Sequence, residues 1–102
     1  MKVLVSPEAR RFIKERGGML FVRLRRAAGV RASVKTLVAS TEPPGVEVLD
    51  YQRIDAGGFL IFLPPGLRLP RELHLEVRGW VRRRVDAFWN GCAFVFPEPR
   101  IA

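Results

Sequence analysis

The chain has very few of the side chains that build metal centres. Its 102 residues include one cysteine, Cys92, and one histidine, His74. A single cysteine excludes a disulfide within the chain, and one cysteine with one histidine cannot supply the four ligands of a structural zinc site. The chain is therefore expected to hold no metal or cofactor by itself. Cys92 is the one candidate metal ligand, and only if a second subunit or a partner supplies the other ligands.

Motifs of catalysis and nucleotide binding are also missing. Ser33 or Ser40 can be combined on paper with His74 and Asp55, but no glycine pattern places a serine at a nucleophile elbow. The two glycine pairs of the chain match neither a phosphate-binding loop nor a dinucleotide fingerprint, and such pairs are typical of turns. We therefore expect that the protein is not an enzyme.

Long apolar runs are absent as well. No stretch approaches the roughly 20 apolar residues of a membrane-crossing helix, and the apolar part of 1–7 is too short for a signal peptide. These absences predict a cytoplasmic protein without membrane association. The hydrophobic content of 48% is sufficient for a folded core. At this length we expect one domain over 1–96 and a short C-terminal tail over 97–102.

Acidic residues are outnumbered by basic ones, 10 against 18, which gives a formal net charge of +8. Arginine provides 15 of the 18 basic residues. Such a surface attracts nucleic acids and other polyanions. A preference for arginine, with one asparagine, one glutamine and eight prolines, is equally typical of a thermophilic or high-GC source. The charge is therefore either functional or a consequence of composition, and the sequence leaves both explanations open.

The first clear structural signal is a short helix followed by a strand. Ser6 is a favourable N-cap residue and Pro7 suits the first helical position. Apolar residues then recur at helical spacing until Gly17-Gly18, where glycine permits the positive φ that ends many helices. The stretch 19–26 alternates apolar residues with arginines, which predicts a strand with one buried and one exposed face.

Further strands follow from β-branched content, alternation and flanking turn residues. The predicted strands lie at 34–40, 46–54, 59–63, 72–78 and 93–96. The run 59–63 is apolar at every position, which indicates a central strand covered on both faces. The run 72–78 alternates strictly and places His74 on its exposed face, where it is expected to be an ordinary surface residue.

The sequence pattern of 79–90 is compatible with two types of secondary structure, a helix and a strand. Val81, Val85, Phe88 and Trp89 have the spacing of one helix face, and the asparagine and glycine at 90 and 91 would then end the helix. The same stretch also shows period-two alternation at Val81, Val85, Ala87 and Trp89, which indicates a strand.

Arginines are the candidate anion-binding residues. A run of three, at 82–84, lies between two tryptophans, and arginine binds phosphate in a bidentate manner while indoles stack on bases. Neighbouring residues of a strand point to opposite faces, so this run cannot form one patch alone. Both tryptophans are expected to fill the core. The candidates are Arg23, Arg25, Arg82 and Arg84.

The order of these signals resembles the HesB-like domain of A-type iron–sulfur cluster carriers, and especially their short relatives. The segments that carry the resemblance are Ser6-Pro7-Glu8-Ala9, Gly17-Gly18 before the arginine-bearing strand, the connector 28–32, the turn and strand 55–62, and Phe88-Trp89-Asn90-Gly91. The resemblance implies an α+β fold, in which an N-terminal helix packs on bent, mostly antiparallel sheets that form a sandwich or pseudo-barrel. It also favours the strand interpretation of 79–90.

The same resemblance shows a loss of ligands. The family holds iron or a cluster with one cysteine in the connector and two near the C-terminus. This chain has Val30 at the connector position, and valine has no donor atom. Only Cys92 stands for the C-terminal pair, and a lone free cysteine is most often a small buried residue. Iron–sulfur clusters normally take four thiolates or near substitutes, so iron or a cluster is expected only if Cys92 sites combine between subunits.

Two functions follow as hypotheses from different classes. The first is a non-enzymatic HesB-like protein related to iron–sulfur cluster assembly, which lacks its own ligands and acts through a protein partner or as a homodimer. The alternative is a small arginine-rich module that binds nucleic acid or another polyanion.

Overall fold

The computed structural model describes residues 1–26, 35–45 and 50–95, which form one helix and eight strands. The elements in chain order are β1 Lys2–Val5, α1 Pro7–Glu15, β2 Met19–Arg26, β3 Lys35–Ser40, β4 Gln52–Asp55, β5 Leu60–Leu63, β6 Glu72–Arg78, β7 Arg84–Trp89 and β8 Phe94–Val95. Val30, Ser33, residues 46–49 of the predicted strand 46–54 and the predicted tail 97–102 lie outside the described residues.

The helix begins and ends where the sequence predicts. The hydroxyl of Ser6 accepts a hydrogen bond of 3.1 Å from the backbone N–H of Ala9, which satisfies one of the free donors of the first turn. At the other end, the N–H of Gly18 donates to the carbonyl of Ile13 at 3.0 Å. Gly17 and Gly18 have φ values of 115° and 78°, and this Schellman arrangement ends the helix and starts β2.

The strands form two sheets. The small sheet has the order β1-β6-β7, and the large sheet has the order β4-β5-β2-β3-β8. Four of the six strand pairings are antiparallel, whereas β1 with β6 and β2 with β5 are parallel. Among the described residues the predicted fold class, a helix packed on mostly antiparallel sheets, is therefore confirmed.

One apolar core joins the two sheets and the helix. Ile13 of α1 lies in this core with no exposed surface, and it packs among side chains from both sheets. The fully buried sheet residues are Leu20, Val22, Ile61, Leu63, Leu73 and Leu75. Because these residues alternate along β2, β5 and β6, the residues between them point to the outer faces of the sheets.

Three strands differ from the sequence predictions. β1 was not predicted, because four residues are too few to show a pattern, and it forms through parallel pairing with β6. β4 begins only at Gln52. β5 has the predicted interior position in its sheet, but Leu60 and Phe62 are only half-buried, so its second face is incompletely covered.

The ambiguous stretch 79–90 contains a strand and not a helix. β7 covers Arg84–Trp89 and pairs with β6, with Val85, Ala87 and Trp89 buried. The strand interpretation is confirmed for these residues. It is wrong for Val81, which is 95% exposed in the connection between β6 and β7.

Candidate functional site

Cys92 lies on the surface, directly after a tight turn. Asn90 and Gly91 form this turn with positive φ values of 49° and 82°, which is the backbone of a type I′ hairpin. Trp89 and Cys92 exchange two backbone hydrogen bonds, of 3.0 and 2.8 Å. Asn90 also bonds to the backbone of Glu72 through its own N–H and its side-chain oxygen, at 2.8 and 2.9 Å. Cys92 is exposed, so the prediction of a buried residue is wrong.

The position of Cys92 relative to the connector can be described from the strand register. Arg26 and Lys35, which precede and follow the connector, are register partners, and Lys35 is also paired with Val95. Val95 is three residues from Cys92, a separation of at most about 10 Å along the chain. Cys92 itself is bonded to Trp89 of β7 in the small sheet, and the chain then passes to β8, which pairs with β3 at Lys35. Val30 itself lies outside the described residues.

The side chains available in one chain do not provide enough ligands for an iron–sulfur cluster. The chain has no second cysteine. Within the described ranges, no group of three histidine, cysteine, aspartate or glutamate side chains could hold a metal ion. One thiolate per chain falls short of the four ligands that a cluster normally takes.

His74 lies on the outer face of the small sheet, as predicted. Its Nε2 is 3.2 Å from Oε1 of Glu72, and its side chain is 32% exposed. Within the described part of the chain, Ser40 and Asp55 accept only local hydrogen bonds, from the backbone N–H groups of Glu42 and Gly57. The hydrogen bonds of these three candidates do not link them into a catalytic arrangement.

The arginine run 82–84 is divided among three environments. Arg83 pairs with Glu8 at the start of α1. Arg84 donates from Nε to Oδ1 of Asp86 at 3.1 Å. Arg82 is exposed, and no ion pair to it occurs within the described part of the chain. Only one arginine of the run therefore has a positive charge that no described carboxylate offsets.

Charges on the outer face of the small sheet are largely paired. Arg78 is 3.1 Å from Glu76 and 3.7 Å from Asp86, so that Asp86 bridges two arginines. The guanidinium of Arg78 also lies 5.2 Å from the centre of the Phe88 ring. Two arginines and two carboxylates thus neutralise one another, which makes this face a poor binding site for a polyanion.

The outer face of the large sheet has a different character, and we call it the arginine face. It contains Arg23 and Arg25 of β2 and Arg53 of β4, which is the register partner of Phe62. All three arginines are exposed, and none of them forms an ion pair with a described acidic residue. Between them Phe21 and Phe62 stack with their ring centres 5.1 Å apart. Sequence reasoning missed Arg53 and this aromatic pair, because only the register of β4, β5 and β2 brings them together.

A groove joins two of the predicted arginines. It has a volume of about 470 Å³, and it lies along the line where β3 meets β7. Arg25 and Arg84 both line it, together with Asp86 and Phe88. Arg23 instead lines a smaller depression of about 200 Å³ with Tyr51. The structure therefore brings Arg25 and Arg84 to one groove and leaves Arg23 and Arg82 outside it.

The two tryptophans have opposite environments. Trp89 is 6% exposed and belongs to the core, as predicted. Trp80 is 100% exposed in the connection between β6 and β7, so the prediction that it fills the core is wrong.

Among the described residues no helix is both long and apolar enough to cross a membrane.

Comparison with known proteins gives a family. Residues 1–85 match the model of the CC/Se motif containing family, and the chain belongs to this family because the match covers most of its length. Cys92 lies beyond the matched residues, and the chain has no pair of adjacent cysteines. No curated protein and no solved structure matches the chain. The family description does not mention HesB-like domains, so that resemblance stays a prediction.

Proposed function

We propose that this member of the CC/Se motif containing family is a non-enzymatic, HesB-like relative of iron–sulfur cluster carriers, which lacks a complete set of ligands and acts through protein contacts. The observation that carries the proposal is the presentation of Cys92. One exposed thiol follows a type I′ turn that is bonded to β6, and three residues later the chain pairs with Lys35, the first described residue after the connector.

The α+β fold and the order of its elements agree with what the resemblance implies. A capped helix, a double-glycine stop and an arginine-bearing strand follow one another at the start of the chain. These segments are among those that carry the resemblance to the carriers. The thiol count opposes a cluster held by one chain, since one thiolate is available where about four ligands are needed.

In this proposal a homodimer or a protein partner supplies the ligands that one chain lacks. A pair of Cys92 thiols across a two-fold axis would double the available ligands, because a two-fold interface presents the same surface patch from both subunits. A partner with its own ligands would need only the exposed thiol of this chain.

An iron titration followed by absorbance and metal analysis tests the proposal. We expect the isolated monomer to bind iron substoichiometrically, and the Cys92→Ala variant to behave in the same way. Stoichiometric iron in the monomer, lost in Cys92→Ala, would show a working carrier and overturn the proposal. The control is Ser40→Ala, which changes an exposed residue away from Cys92.

A second function is favoured by the arginine face. We propose that the chain binds nucleic acid or another polyanion there, since three exposed arginines without described acidic partners lie beside a stacked aromatic pair. Arginine side chains attract phosphates, and aromatic rings on a sheet are suitable for stacking with unpaired bases.

Salt-dependent binding to a single-stranded oligonucleotide tests this second function. Each lost phosphate contact should reduce the log–log salt slope by about 0.7. Arg23→Ala with Arg25→Ala is the test pair. Arg78→Ala with Lys2→Ala is the matched control, because it removes the same charge from exposed residues of the small sheet, outside the arginine face. Absence of binding at low salt would exclude this function.

A further inference from the structure

The connection between β6 and β7 presents two apolar side chains to solvent, and we call residues 79–83 the hairpin tip. Trp80 is 100% exposed and Val81 is 95% exposed. Complete exposure of a tryptophan loses the large apolar burial that this side chain normally contributes to a fold. The tip therefore has an aromatic group that the core does not use.

The tip has a defined shape. Gly79 has a φ of 104°, and a Cβ atom at this position would collide with the carbonyl oxygen of Arg82. The backbone therefore turns back on itself between these two residues, which directs Trp80 and Val81 outward. Arg83, at the far side of the tip, forms an exposed ion pair with Glu8 of α1. The tip therefore lies beside the start of the helix, with Trp80 directed to solvent.

The tip is followed directly by the groove between β3 and β7. Arg84 begins β7 and lines this groove, and it also lines a smaller depression with Ser40 at the end of β3. Thr36, at the other end of β3, donates a hydrogen bond of 2.8 Å to the carbonyl of Ala93, beyond the end of β7. β3 thus runs alongside β7 in the opposite direction, and Arg25, the partner of Thr36, lies at the far end of the groove.

These features follow one line across the surface. Trp80 and Arg82 lie at the tip, Arg84 lies at the near end of the groove, and Arg25 lies at its far end. Asp86 lies within the groove, where Arg84 and Arg78 offset its charge. A flexible linear polyanion can contact the tip and the groove together. A membrane surface would contact only the protruding tip.

We propose that the hairpin tip and this groove form a binding site for single-stranded nucleic acid, in which Trp80 stacks on an unpaired base and Arg82 and Arg25, which pair with no described carboxylate, contact the backbone phosphates. The inference rests on the second function proposed above and names its ligand class and its stacking residue. A stack of a base on an exposed indole is tolerant of sequence, so the site is expected to bind many sequences.

Fluorescence and affinity measurements with a short oligothymidine test the proposal at low salt. The oligonucleotide should quench the emission of the wild type, and Trp80→Ala should bind about tenfold more weakly. Trp80→Phe should retain most of the affinity, because it keeps an aromatic ring. Val81→Ser should bind like the wild type, since stacking does not involve Val81.

The other outcomes separate the tip from the arginine face. Binding that falls with Arg23→Ala and Arg25→Ala but is unchanged in Trp80→Ala would overturn the inference and leave the second function intact. Absence of any binding would overturn both. Binding to vesicles of anionic phospholipid that is lost in both Trp80→Ala and Val81→Ser, without oligothymidine binding, would show that the tip inserts into a membrane surface, and would also overturn the inference.

Discussion

The hairpin tip and the strand that follows it place two tryptophans nine positions apart in opposite environments. Trp89 is 6% exposed on the inner face of β7, and Trp80 is 100% exposed before that strand begins. Trp89 contributes to the apolar core between the sheets, whereas Trp80 contributes to no core contact. The difference shows that packing in the core specifies β7, whereas the tip lies outside the core.

The same contrast separates the two outer sheet faces. The arginines of the small sheet pair with Glu76 and Asp86, and their charges are locally satisfied. The arginines of the arginine face have no such pairing among the described residues. A surface charge without a local partner is available to a ligand, so the arginine face is the sheet surface where a polyanion would meet the least competition from described acidic residues.

The largest expected effect tests the role of packing. Trp89→Ala should reduce the free energy of unfolding by about 3–5 kcal/mol, because it removes a large buried ring and leaves a cavity. Trp80→Ala should change it by less than about 0.5 kcal/mol, because an exposed side chain has little to lose. Guanidinium unfolding followed by circular dichroism measures both. Equal destabilisation by the two substitutions would contradict the comparison.

The next effect concerns binding. The Arg23→Ala and Arg25→Ala pair should weaken oligonucleotide binding about tenfold at low salt, because two unpaired positive charges are lost. The Arg78→Ala and Lys2→Ala pair lowers the net charge by the same amount, and it should change the affinity much less. If both pairs weakened binding equally, net charge alone would explain the association.

A smaller effect tests the start of the fold. Ser6→Ala should reduce the free energy of unfolding by about 1 kcal/mol, because the N–H of Ala9 loses its hydrogen-bond acceptor. Thermal unfolding at fixed pH measures the change. Ser6→Asp keeps an acceptor at the N-cap and should retain most of the stability. A loss of the same size in both variants would show that the cap is unimportant.

The smallest effect is expected for the paired arginines of the small sheet. Arg84 and Asp86 are 66% and 29% exposed in their side chains, and water screens such a pair. A double-mutant cycle with Arg84→Ala and Asp86→Ala should give a coupling energy below about 1 kcal/mol. A coupling energy of several kcal/mol would show that this face stabilises the fold and is more than a solvated surface.

Much of the fold could be predicted from local patterns. The cap at Ser6, the glycine stop and the alternation of β6 are short-range signals, since each is set by neighbours along the chain. β1 could not be predicted, because its four residues depend on pairing with β6, about 70 residues later. The exposure of Trp80 was also missed, since residue type alone favours burial and only the position of the turn decides against it.

The candidate sites show the same limit. The exposed arginines Arg23 and Arg25 follow from period-two alternation, which also predicts that they share a face. Their association with Arg53 and with the stacked pair of phenylalanines depends on the order of the strands in the sheet. Local sequence patterns do not determine that order. The division of the run 82–84 into paired and unpaired arginines depends on Glu8 and Asp86, and one of these lies 75 residues away.

Native mass spectrometry after anaerobic incubation with iron and sulfide tests the central claim most directly, because it counts iron atoms in the monomer and the dimer separately. The account predicts at most substoichiometric iron in the monomer of the wild type and of Cys92→Ala, with stoichiometric iron confined to a dimer that Cys92→Ala removes. A wild-type monomer that retains an iron–sulfur cluster, and loses it in Cys92→Ala, would contradict the claim that one chain lacks a complete ligand set.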